Sequence, residues 1–381
     1  MSENESNIQD EGEVLMSNAN KSARMKSVEG DESENENHSM KKFIEYFSES
    51  DSSQDKVAIF MHDTPDPDAM GAARGLQWLM SKKFDLHADM FYRGEISHPQ
   101  NKTMVNILDL NLKPYDEVDL DAYKYKIAVD STEKNCPVPN VDIVIDHHRI
   151  SSKANVQIIE PIGAAATLVC EIIRELDISF EDEIDQDVAT ALLMGIRIDT
   201  GELISENTTD RDFDAVKFLA DFVNRKKMGS IIDYPIPSYF FELERELNRE
   251  NAEGHFINQR VDGSCFVGCI GIISPAKRDS IAMLADKVVR MEGIETSVVF
   301  SIVGDKVVAS IRSQNSSLDV NTFAQSVFGK EFGGGKLGSA GATIPLGIFG
   351  VTGLPAEIRS MLWDSIKETI FYKVIHVATG N

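Results

Sequence analysis

Val57-Ala58-Ile59-Phe60-Met61-His62-Asp63-Thr64-Pro65-Asp66-Pro67-Asp68-Ala69-Met70-Gly71 is the stretch on which the reading of this chain turns. Its first five residues form an apolar run of strand length. Two prolines stiffen the turn that follows, and Ala69 to Leu79 reads as a helix packed back on a sheet. One imidazole and three carboxylates therefore crowd a strand-to-helix turn, beyond the carboxyl end of a strand, where open α/β sheets bind ligands. Their mutual repulsion calls for a cation. The plainer alternative is an Asp-rich turn whose carboxylates cap a helix.

Further apolar runs decide between the two. Lys126-Ile127-Ala128-Val129 ends in Asp130-Ser131-Thr132, and Val141-Asp142-Ile143-Val144-Ile145 ends in Asp146-His147-His148. A fourth run, Leu192 to Ile198, leads into Asp199-Thr200-Gly201. Repeated delivery of the same ligand chemistry at the ends of apolar runs favours a metal site. Mixed carboxylate and imidazole ligands suit Mn²⁺ or a similar divalent ion better than structural zinc, which would favour cysteine.

In this order, His62-x-x-x-Asp66-x-Asp68-Ala69-x-Gly71, Asp130, Asp146-His147-His148 and Asp199-Thr200-Gly201 resemble the four motifs of the DHH phosphoesterase family. Ser310-Ile311-Arg312-Ser313 and Gly333-Gly334-Gly335-Lys336-Leu337-Gly338-Ser339-Ala340-Gly341 resemble its DHH-associated domain, in the branch of oligoribonucleases and 3′-phosphoadenosine 5′-phosphate phosphatases. The resemblance implies a doubly wound, mainly parallel α/β domain followed by a smaller α+β substrate domain, with the active site in the cleft between them. It implies two divalent ions, Mn²⁺ first, with Mg²⁺ or Co²⁺ as alternatives. One ion would be held by His62, Asp66 and Asp130, the other by Asp68, Asp130, His147 and Asp199, and they would activate a shared hydroxide. Asp146 would orient an imidazole, and His148 would contact the phosphate or protonate the leaving oxygen.

The second domain would supply the substrate contacts. Arg312 offers a planar fork matched to phosphate oxygens, Ser313 a hydroxyl, and Gly333, Gly334 and Gly335 approachable backbone N–H groups. Taken alone, Arg312 reads as a surface ion pair and the glycines as a tight turn. His98 and Asn101 are further candidate contacts, although Asn101 also reads as the cap of a helix from Lys102 to Leu108. Lys336 stands where relatives usually carry His, and Arg197 where they carry a small or apolar residue.

The formal charge of −24 bears on partners. A protein that tracks long nucleic acid carries a basic groove, because phosphate contacts dominate that affinity. Short phosphorylated substrates, RNA or nucleotide, are expected here, with no long duplex; a homodimer is one admissible assembly. No apolar run reaches the ~18 residues of a membrane span, and no signal peptide opens the chain. Cys136, Cys170, Cys265 and Cys269 lack zinc spacing and read as buried thiols in a reduced, cytoplasmic setting.

Residues 1–40, rich in Ser, Asn, Glu and Asp, are expected to be a disordered acidic tail. The catalytic domain is expected over 41–225, a connector broken by Pro235 and Pro237 over 226–251, and the substrate domain over 252–381. The expected function is a metal-dependent phosphodiesterase acting on short oligoribonucleotides or linear dinucleotides. Removal of a phosphate from 3′-phosphoadenosine 5′-phosphate and cleavage of cyclic dinucleotides are the alternatives within the same chemistry. A nucleotide-binding regulator without catalysis is the rival of another class.

Overall fold

The first sheet has six short strands: β1 (Lys56–Phe60), β2 (His87–Tyr92), β3 (Leu112–Pro114), β4 (Tyr125–Val129), β5 (Ile143–Asp146) and β6 (Val156–Ile159). All neighbours pair in parallel, in the order β3-β2-β1-β4-β5-β6. Parallel sheets are covered on both faces, which is why β1, β4 and β5 read as unbroken apolar runs and not as alternating ones. Strand order reverses between β1 and β4, and ligands bind at such a reversal. This computed structural model describes residues 39–48, 55–131, 136, 138, 140–148, 151–336 and 338–379. The expected tail lies outside the described residues, except that 39 and 40 open the helix α1 (39–48).

Helices α2 (Pro67–Phe84) and α4 (Ala165–Glu175) pack on one face of this sheet and α5 (Glu183–Asp199) packs on them, where Met70, Leu76, Leu79, Val169, Leu192 and Ile196 are buried. Between α2 and α4 in the chain comes α3 (Pro99–Ile107), and α6 (Asp210–Leu219) and α7 (Arg225–Ile232) follow α5. On the opposite face Phe60, Phe91, Ala128 and Val144 form a smaller apolar cluster with Val138 and Val141.

α2 and α5 lie unusually close. A Cβ on Gly71 would sit 2.4 Å from the Ala191 carbonyl oxygen, and one on Gly195 would sit 3.0 Å from the Asp68 Cα. The glycine that closes the first motif is therefore a packing requirement between two helices, and it brings the end of α5 to the start of α2.

The run Leu192 to Ile198 is the second half of α5. An apolar run of strand length cannot be told from a buried helix by periodicity alone. The cap at Asp182, with its reciprocal bonds to Asp185, marks where that helix really begins. α3 starts at Pro99, so Asn101 lies inside its first turn and does not cap a helix from Lys102. Proline suits the first helical position because its φ is already set.

The described chain divides into two compact units, Met1–Ile96 with Thr103–Asp233, and Ser97–Lys102 with Tyr234–Asn381. The second is built on β7 (Gln259–Asp262), β8 (Cys265–Ile273), β9 (Thr296–Val303), β10 (Lys306–Ser313), β11 (Gly333–Lys336) and β12 (Ser339–Pro345). Their order is β11-β12-β10-β9-β8-β7, antiparallel except for the β8–β9 pair. β8 alternates as far as Ile270, and its pairing with β9 shifts register between Cys269 and Ile272. Phe266 and Ile270 pack with α8 (Ser238–Leu247) and α9 (Ser280–Val288), while Val267 and Cys269 face α10 (Val320–Phe328) and α11 (Ala356–Thr379). All four cysteines are buried thiols. α11 was not legible in the sequence, since only Ile370, Phe371 and Val374 of it are buried and they make no long stripe.

Candidate metal centre

β1 and β4 are neighbours, so residues just past their ends come together. His62 follows β1 by two positions. A carbonyl can only accept, so its Nδ1–H donates to Asp63 O (2.8 Å). That turns Nε2 to Asp130 Oδ2 at 3.5 Å and Asp66 Oδ1 at 3.9 Å. Asp66 caps α2, its Oδ1 accepting from the N–H groups of Asp68 and Ala69 at 3.0 Å each. Asp68, in the first turn of the same helix, is buried, and its carboxylate accepts from Ala165 N–H (2.7 Å) and Ala166 N–H (2.9 Å) at the start of α4.

Asp130 stands one residue past β4 with φ +48°, in the left-handed region that Asp enters more readily than most residues. Its backbone N–H donates to Ile145 O (2.9 Å), which fixes the turn. His147 follows β5 and donates from Nδ1 to Ile162 O (3.0 Å). Its Nε2 then faces Asp199 Oδ2 at 3.2 Å, Asp130 Oδ1 at 3.5 Å and Asp68 Oδ2 at 4.0 Å. Asp199 is the last residue of α5. Asp146 ends β5 fully buried and accepts, at Oδ1, from the backbone N–H of His148 (2.9 Å) and from its Nδ1–H (2.8 Å). The imidazole that Asp146 orients is thus His148, itself half-exposed.

Two sets of side chains could each hold a metal ion: His62, Asp66 and Asp130, and Asp68, His147 and Asp199. Asp130 joins them, with Oδ2 turned to His62 and Oδ1 to His147. Asp130, Asp146, His147 and His148 form a third, overlapping set. The fit to a cation is tested by Asp130 Oδ1, which is buried without a hydrogen-bond partner among the described residues. An acceptor in that state is costly unless something positive completes it. The donors are carboxylate oxygens and imidazole nitrogens, which suit a hard or borderline divalent ion.

The electrostatics point the same way. Burial would lower the His62 pKa, but the Asp130 and Asp66 carboxylates outweigh it and push it up to about 11. For His147 burial again opposes, and Asp130, Asp68 and Asp199 push it up to about 10. Asp130 moves down: burial works against its charge, and His147 and His62 overcome that. Asp68 moves up, through burial and then the Asp130 charge. Protons on the imidazoles stand in for cation charge in the metal-free chain. In that state these pairs stabilise the fold fully below about pH 6.5, and the benefit is lost as pH rises through the folded values of about 10 and 11.

A divalent ion must displace those protons. Mn²⁺ binding should therefore release about two protons per chain at pH 8 and tighten steadily from pH 6 to 8. Calorimetric titration in two buffers of different ionisation enthalpy reads both. Binding without proton release would show that these imidazoles are not ligands.

The candidates for substrate contact lie in the second unit. Arg312, on β10, donates from Nε to Asp286 Oδ1 (2.6 Å) and from Nη1 to Ser310 Oγ (2.8 Å) and Ile311 O (3.0 Å). Ser313 Oγ lies 3.0 Å from Thr296 Oγ1. Gly333, Gly334, Gly335 and Lys336 form the edge strand β11 and not a tight turn. A Cβ on Gly333 would meet the Ala324 carbonyl oxygen at 2.6 Å, and one on Gly335 would meet Ser339 O at 2.3 Å, so close packing explains these two. The Lys336 side chain lies outside the described residues. His98 is largely buried, packs edge-on to Tyr234 and accepts from Gln100 N–H at 3.2 Å. Burial lowers its pKa against the pull of Asp279 and Asp286. Arg197 pairs with Glu202, with Nη2 2.5 Å from Oε2.

Two family models match the chain in this order. The DHH family, N-terminal domain, matches residues 56–196, and the DHHA1 domain matches residues 268–368. Together they span more than half of the sequence. The chain belongs to the DHH family. This DHH-family chain is 33% identical over 319 residues to an uncharacterized protein of Methanocaldococcus jannaschii, covering 82% of the chain and 63% of that protein. It is 31% identical over 186 residues to a probable manganese-dependent inorganic pyrophosphatase of Lactobacillus gasseri, covering 46% of the chain and 58% of that protein. The chain thus spans about three-fifths of the length of these curated relatives. Its fold is similar to the crystal structure of an exopolyphosphatase-related protein from Bacteroides fragilis, with a TM-score of 0.61 at 16% identity, over 88% of this chain and 98% of that one. Among the described residues no helix is long and apolar enough to cross a membrane.

Proposed function

We propose that this chain is a metal-dependent phosphoesterase that hydrolyses short phosphorylated substrates, short oligoribonucleotides or linear dinucleotides first among them. The observation that carries the reading is the pair of ligand sets joined through Asp130. Mn²⁺ is the preferred ion, in keeping with the donor set and with the manganese named for the pyrophosphatase relatives. His62, Asp66 and Asp130 would hold one ion, and Asp68, Asp130, His147 and Asp199 the other. When bound, such ions lower the pKa of water towards neutrality and polarise phosphoryl oxygens.

The chain's own groups do the rest. Ile162 O and Asp63 O keep His147 and His62 turned with Nε2 inward. Asp146 fixes the half-exposed His148 at Nδ1, which leaves Nε2 to contact the phosphate or to protonate the leaving oxygen. Arg312, Ser313, Lys336, His98, Asn101 and the β11 backbone are proposed to bind the remainder of the substrate. The acidity of the chain supports a short substrate over a long one.

The test is a side-by-side assay of the Mn²⁺-loaded chain on an RNA ladder of two to about twenty-four nucleotides, 3′-phosphoadenosine 5′-phosphate, cyclic dinucleotides and pyrophosphate. The expected result is cleavage that is fastest on the shortest RNA and falls with length. A rate that climbs with length contradicts the short-substrate reading, and pyrophosphate as the best substrate would place the chain with the relatives named for it. Binding of nucleotide with no turnover on any substrate would leave the regulator.

A further inference from the structure

The segment from Ile162 to Thr167 touches two of the candidate ligands at once. Ile162 O accepts the Nδ1–H of His147, and the N–H groups of Ala165 and Ala166 donate to Asp68. What holds this segment is another carboxylate, Asp212, in the first turn of α6 and fully buried. Its Oδ2 accepts from Gly163 N–H at 3.0 Å, and its Oδ1 from the Thr167 hydroxyl at 2.6 Å. Its Oδ2 also accepts from the backbone N–H and the hydroxyl of Thr209, both at 2.8 Å. All four bonds run to the carboxylate, so it is satisfied without a cation and stands outside the three ligand sets. The neighbouring Arg211 pairs with Glu160 and Glu171, one just before this segment and one on α4. The first turn of α6 thus grips both ends of the segment.

From this geometry we propose that Asp212 is a positioning residue for the metal centre. It fixes the Ile162 carbonyl that sets the His147 tautomer, and the α4 amides that aim Asp68. Asp212 also closes a capping box with Thr209 at the start of α6. The proposal rests on the metal reading above, and groups that orient metal ligands in this way are worth about 10–100-fold in metal affinity.

The test is Mn²⁺ titration of the metal-free full chain, wild type and Asp212→Ala, with folding checked by thermal melting. Asp212→Ala should bind Mn²⁺ about 10–100-fold more weakly. In ¹⁵N-histidine spectra, the Nδ1–H of His147 in the metal-free variant should exchange faster with water, because its bond to Ile162 O is loosened. Asp185→Ala is the control: Asp185 is equally buried and its carboxylate braces the far end of α5 by accepting from Trp78 Nε1–H, Lys82 and the Glu181 N–H, so it should lower stability and leave Mn²⁺ affinity intact. A folded Asp212→Ala with wild-type affinity, or an equal loss in Asp185→Ala, overturns the proposal. Should Asp212→Ala not fold, Thr167→Val removes one bond alone; weaker Mn²⁺ binding supports the role and wild-type binding overturns it. A wild-type chain that binds no Mn²⁺ would overturn the metal centre itself, a result distinct from the others.

Discussion

Replacing Asp130 with alanine should lower kcat by at least about a thousandfold, equivalent to roughly 4 kcal/mol of lost transition-state stabilisation, and leave the fold in place. The reason is its shared position. Oδ2 faces His62 and Oδ1 faces His147, so one truncation takes an oxygen from each ligand set. The metal-free fold should tolerate the change, because the carboxylate is surrounded by other acids and its Oδ1 makes no hydrogen bond among the described residues. Truncation also leaves His62 and His147 without their main partner, so both imidazoles should titrate closer to the ordinary histidine range. A purified, folded Asp130→Ala chain that turns over at the wild-type rate would end the two-ion assignment.

Arg312→Ala should cost about 1.5–3 kcal/mol on substrates with a terminal phosphate, one to two orders of magnitude in kcat/KM. A charge-assisted contact would be lost while every candidate metal ligand stays, so Mn²⁺ affinity should not move. A substrate without the terminal phosphate should lose far less. The ion pair with Asp286 adds a second arm, because a phosphate that engages Arg312 must share it with that carboxylate. Asp286→Asn should therefore tighten binding of the phosphorylated substrate. Equal losses on both substrates for Arg312→Ala would place the guanidinium at the scissile group or in the fold of its own unit, and melting curves with and without Mn²⁺ separate those outcomes.

Much of the first unit was legible because parallel strands leave a strong trace. β1, β4 and β5 are buried on both faces, so each reads as an apolar run, and the polar residues that end each run mark the sheet's carboxyl edge. Asp199 was legible at the end of its apolar run, which a buried helix carries. The edge strands β3 and β6 are too short, three and four residues, to announce themselves. Pairings across long separations left no local signal. Arg312 meets Asp286 across 26 residues, and Gly163 meets Asp212 across 49. Only folding brings such partners together, and a capping aspartate looks the same whether or not it also braces a site.

Electron paramagnetic resonance of the Mn²⁺-titrated, metal-free chain reads whether a pair of divalent ions shares the Asp130 carboxylate. Two Mn²⁺ should bind per chain, with the spectrum of the first ion giving way to that of a spin-coupled pair as the second arrives, and Asp130→Ala should abolish the coupling. A single bound Mn²⁺, or two that stay magnetically independent, would contradict the shared pair.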